Sequence, residues 1–97
     1  MEKKVNTYQL TLKPVRLASG EPVSEKQLDL TIDNHDELFS IIERLQEKDP
    51  FGDKAQAAEF ALGLKLFSEV MLKHRDNPLF DELKPAFQPF MKRLKSL

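Results

Sequence analysis

Asp33, His35, Asp36 and Glu37 form the densest group of metal-ligating side chains in the sequence. A hard cation takes six or more oxygens, and zinc takes three or four ligands converging on one point. Four candidates within five consecutive residues at a helix start cannot all converge. The group is therefore read as a helix start, with Asp36 and Glu37 complementing the helix dipole. His74-Arg75-Asp76 repeats a tripeptide of the protein-kinase catalytic loop. A kinase also needs a glycine-rich loop, a strand lysine, a magnesium-binding motif and several times this length, and none accompanies it. Ser19, Ser24, Ser40, Ser68 and Ser96 lie outside any G-x-S-x-G elbow, and no glycine-rich phosphate cradle is present. These motifs assign no catalytic residue, no cofactor site and no metal site.

Two other features invite a reading. Gly63 falls inside a helical pattern, where glycine costs about 1 kcal/mol against alanine. With Ala55, Ala58 and Ala61 nearby, it predicts close helix–helix or helix–hairpin contact, ahead of a ligand pocket. The basic group Lys84, Lys92, Arg93 and Lys95 could touch phosphates. However, Lys92, Arg93 and Lys95 fall in the last turns of a helix, where cations are expected anyway.

Composition narrows the classes further. Ninety-seven residues, 40% hydrophobic and 32% charged, fit one small soluble domain, residues 1–97. The longest apolar runs fall far short of a membrane span. The start of the chain lacks the apolar stretch of a secretory signal, and there is no cysteine, so a cytoplasmic location is expected. The net charge of −1 disfavours nucleic acid as a partner of the whole chain. Residues 1–64 hold 8 Lys+Arg against 12 Asp+Glu, net −4, and residues 65–97 hold 7 against 4, net +3.

The elements that must position these residues can be read from periodicity. Tyr8, Leu10 and Leu12 alternate with Thr7, Gln9 and Thr11, and Leu28, Leu30 and Ile32 alternate with Asp29, Thr31 and Asp33. Both are two-residue periods with one apolar face. A turn at Ser19-Gly20-Glu21 pairs Tyr8 with Ile32, Leu10 with Leu30 and Leu12 with Leu28, and a one-residue slip would split the apolar pairs between faces. Gly20 supplies the positive φ the turn needs. Asn34 is assigned as N-cap of a first helix, with Glu37 completing a capping-box-like arrangement. Leu38, Ile41, Ile42 and Leu45 follow, and Asp49-Pro50 ends that helix.

Asp53 caps a long second helix running to about His74. At about 100° per residue, Phe60, Leu64, Phe67 and Met71 form one stripe, which Leu62, Leu66 and Val70 widen. Only Lys65, Ser68, Glu69 and Lys73 are expected to face water clearly. Asn77-Pro78 opens a third helical region, kinked or split near Pro85, with the break favoured at Lys84-Pro85. The fold class is α+β, order β-β-α-α-α, with an N-terminal antiparallel hairpin packed on three helices.

The run Phe60-Ala61-Leu62-Gly63-Leu64-Lys65-Leu66-Phe67-Ser68-Glu69-Val70-Met71-Leu72, then Asn77-Pro78-Leu79-Phe80, resembles a family of small bacterial proteins known as a domain of unknown function. Tyr8-Gln9-Leu10-Thr11-Leu12 and Asn34-His35-Asp36-Glu37-Leu38-Phe39 are similar to that family too. The resemblance covers essentially the whole chain. It implies a bacterial, cytoplasmic, single-domain protein and carries over no activity, cofactor or catalytic residue.

Three functional readings follow, in descending order of support. The first is a non-enzymatic protein-interaction or regulatory module, with a protein partner or a second copy of itself in a homodimer. Its contact residues would be Leu62, Leu66 and Val70 and the strand-edge residues Thr7, Gln9 and Thr11, because open strand edges invite pairing. The second is a small-molecule-binding protein or enzyme subunit, with a pocket between hairpin and helices and Tyr8, His35 and His74 as its polar groups. The third is a nucleic-acid-associated regulator acting through the basic C-terminal helix.

Overall fold

The structure, a computed structural model, describes residues 4–97. Strands β1 (Asn6–Leu12) and β2 (Leu28–Asn34) come first, then helices α1 (Leu38–Lys48) and α2 (Lys54–Lys73). A short 3-10 turn at Pro78–Phe80 precedes α3 (Lys84–Lys95), so the fold is α+β in the order expected. The described residues divide into two compact units, a hairpin unit up to Asp36 and a helical unit, Glu37–Leu97. Among the described residues no helix is long and apolar enough to cross a membrane.

In the hairpin unit the strands pair antiparallel, with Tyr8 opposite Ile32, Leu10 opposite Leu30 and Leu12 opposite Leu28. This is the register that face alternation dictates. Gly20 adopts φ 82°, and its N–H donates to the Leu17 carbonyl at 3.0 Å. The bend is not a tight hairpin turn, however, because the strands stop at Leu12 and restart at Leu28.

The polar face is knitted by side chains. The Thr7 hydroxyl donates to Asp33 Oδ1 and the Thr11 hydroxyl to Asp29 Oδ1, both at 2.7 Å. The apolar face is graded. Tyr8, Leu10 and Ile32 are half-buried, whereas Leu30, Leu28 and Leu12 are 45%, 51% and 68% exposed toward the loop end.

Asn34 closes β2 rather than capping α1. Its Oδ1 accepts from the Asp36 N–H at 2.9 Å, its carbonyl accepts from the Asn6 amide at 3.3 Å, and it is buried. The N-cap is Glu37, whose carboxylate accepts from the Phe39 N–H at 2.8 Å and the Ser40 hydroxyl at 3.2 Å. Asn34 is the better capping type in general, but pairing with Asn6 holds it in the strand.

In the helical unit Leu45, Ala57 and Ala61 form the core cluster, with Ile41, Ile42, Phe60 and Leu94 packed against it. Small residues at 57 and 61, one turn apart on α2, let the helices approach closely, and all three helices contribute. Asp53 caps α2 as expected, its carboxylate accepting from the N–H groups of Ala55 and Gln56. The split before α3 falls at residues 81–83, ahead of the expected Lys84-Pro85 break. Pro85 lies in the first turn of α3, where its missing N–H goes unused.

Candidate functional site

Along one side of α2 runs an apolar groove of about 500 Å³, lined by Phe51, Phe60, Leu64 and Phe67, with Gln56 and Glu59 at its polar margin. Gly63 also lines it, and a methyl group built there would meet nothing within 4 Å. The expected close contact at Gly63 is therefore absent from the described residues: no other part of the helical unit approaches that backbone. At helical spacing Phe60, Gly63, Phe67 and Val70 share one side of α2.

Six of the seven phenylalanines form one run of ring contacts beside this groove. Phe51 meets Phe60 edge-on at 5.4 Å between centroids, Phe60 meets Phe90 at 6.4 Å, and Phe90 meets Phe87 at 6.4 Å. Phe87 then meets Phe67 at 6.4 Å, and Phe67 meets Phe80 at 6.0 Å. Four of the five contacts are edge-to-face, Phe87–Phe90 being tilted at 35°; edge-to-face geometry suits the ring quadrupoles, each such pair adding roughly 0.5–1.5 kcal/mol beyond burial. The run spans the segment before α2, α2 itself, the 3-10 turn and α3. It fixes the groove wall while leaving Phe51 53% and Phe67 43% exposed.

The stripe predicted as an interaction surface opens along α2. Leu62 and Leu66 are half-buried and Val70 is 53% exposed. The expectation that only Lys65, Ser68, Glu69 and Lys73 face water is corrected. Lys65, Ser68 and Glu69 are half-buried, while Phe67, Val70 and Leu72 are exposed. The apolar arc is wider than the cover the other helices provide, and long polar stems lie along apolar surface.

Thr7, Gln9 and Thr11 are exposed on the polar face of β1, with Thr7 and Thr11 bonded to β2 as described. Tyr8 is half-buried opposite Ile32. His35 is exposed beside Asp36, Nε2 to Oδ2 3.7 Å. His74 is the C-cap of α2, its N–H donating to the Val70 and Met71 carbonyls. Among the described residues no three metal-ligating side chains stand together.

Residues 6–96 match the model of DUF3861, described as a domain of unknown function with solved structure. The chain belongs to this family. The crystal structure of a protein of unknown function from Pectobacterium atrosepticum is 33% identical in sequence to this chain, with a TM-score of 0.82. The alignment covers 97% of this chain and 100% of that one. No curated protein matches the sequence. The DUF3861 assignment agrees with the resemblance read from Phe60–Leu72 and its neighbours, and it brings no activity with it.

Sequence periodicity located α2 but not its groove. Phe51 lies outside any helical pattern, and an open glycine and a packed one look the same in one sequence.

Proposed function

We propose that the protein is a non-enzymatic interaction module of the bacterial cytoplasm that docks to another protein chain through the α2 groove, with a second copy of itself as the first partner to test. The observation that supports this most is Gly63 lying open among Phe51, Phe60, Leu64 and Phe67. A glycine inside a helix sacrifices stability, and an approaching backbone or side chain from another chain would use the space it leaves. The exposed rings of Phe51 and Phe67 and the side chain of Val70 are the apolar surface such a contact would cover.

Sedimentation equilibrium across a concentration series tests the reading. Wild-type protein is expected to dimerise reversibly. Gly63→Glu, which sets a charge in the groove at an exposed helical position, is expected to weaken the dimer about tenfold or more. A wild-type chain that stays monomeric at high concentration overturns self-association. A dimer indifferent to Gly63→Glu removes the groove as its interface.

A further inference from the structure

A second cavity lies wholly within the helical unit and has a different chemistry. Its volume is about 210 Å³, and α1, α2 and α3 all line it. Ile41, Leu45, Leu64, Met91 and Leu94 make an apolar floor, while its polar groups are Arg44, Lys48, Lys65 and Lys95. No carboxylate is among these lining residues. Arg44 and Lys48 stand one turn apart on α1, a like-charge spacing that is unfavourable on an isolated helix.

Helix dipoles account for only half of this set. Lys48 and Lys95 fall in the last turns of α1 and α3, where cations are favoured. Lys65 lies in the middle of α2 and has a partner within the chain, whereas Arg44 lies before the last turn of α1 and lacks the dipole explanation. Among the described residues Arg44 and Lys95 make no ion pair with a carboxylate, and Lys48 Nζ donates to the Leu97 carbonyl oxygen. The ammonium group of Lys48 is thus already engaged within the chain.

We infer that this cavity is a binding site for a small amphiphilic anion, its apolar body on the floor of Ile41, Leu64, Met91 and Leu94 and its anionic oxygens at Arg44 and Lys95. An apolar pocket with a few convergent polar groups is the usual form of a small-ligand site. The volume lies below the common 300–1,000 Å³ range, which restricts the ligand to a short chain or a single ring. The cationic rim selects against neutral and cationic ligands of the same shape. The inference is independent of the α2 groove and of any partner there.

The test uses octanoate, octyl phosphate, octanol and octylammonium as probes, read by methyl chemical shifts of the full chain and by titration calorimetry. Octanoate or octyl phosphate is expected to bind saturably and to shift the methyl signals of Leu64, Met91 and Leu94 while leaving those of Leu12 unmoved. The stronger of the two anions identifies the head group. The double variant Arg44→Gln with Lys95→Gln, both exposed positions, is expected to melt within a few degrees of wild type and bind about tenfold more weakly. Octanol binding as tightly as the anions, or affinity unaltered in the double variant, overturns the inference. So does an absence of saturable shifts with both anions.

Discussion

In the hairpin the polar face is the ordered one: Thr7 donates to Asp33, Thr11 and Gln27 donate to Asp29, and the opposite face opens from Tyr8 to Leu12. In the helical unit the order is reversed. Leu45, Ala57 and Ala61 are nearly sealed, a run of phenyl rings ties α2 to α3, and few polar side chains bond across elements. A strand pair joined by backbone hydrogen bonds keeps its register whether or not its apolar face is covered. A helix pair has no hydrogen bonds between its backbones, so its arrangement depends mainly on burial. The same alternation of residue types therefore means different things in the two regions: in the hairpin it sets pairing, and in the helices it sets cover.

The strongest challenge to this contrast is Leu45→Ala. Removing a sealed side chain from the small core is expected to cost about 2–5 kcal/mol. In a domain of this size that lowers the melting temperature by roughly 10 °C or more, measured by circular dichroism. A loss under about 1 kcal/mol would mean that the helices are held by something other than this cluster. Gly63→Ala should act in the opposite direction. With open space around the new methyl, dilute protein is expected to gain about 0.5–1 kcal/mol in a urea titration, whereas destabilisation would show hidden crowding at that position. The smallest effect is expected for Thr11→Val, which removes an exposed cross-strand hydrogen bond and should change stability by no more than about 0.5 kcal/mol. A cost matching that of Leu45→Ala would erase the distinction between the two units.

These contrasts mark how much could be read from sequence. The register was legible because Tyr8, Leu10 and Leu12 find apolar partners at only one antiparallel alignment that keeps all three on a face. Asp53 was legible because a cap acts on residues two and three positions away. Asn34 was misread because two capping-competent residues, Asn34 and Glu37, stand three apart, and pairing with Asn6, distant in sequence, decides between them. The exposure pattern of α2 was misread for a similar reason. Its apolar arc is local information, while which part of that arc is covered depends on Phe80, Phe87 and Phe90. The cation-lined cavity was invisible, since Arg44, Lys48, Lys65 and Lys95 come from three helices. The sequence-level basic group contains only Lys95 of these four, and Lys84 Nζ instead donates to the Arg75 carbonyl.

The long link between Leu12 and Leu28, with its bend at Gly20, has a consequence for how this chain can change over time. Because strand alignment is set by facing side chains rather than by turn geometry, length added between residues 13 and 27 leaves every cross-strand partner where it was. Closing a loop twice as long costs only about 0.6 kcal/mol more. The segment is a tolerant site for inserted peptides, where new recognition sequences can be acquired without rewriting the hairpin that carries them.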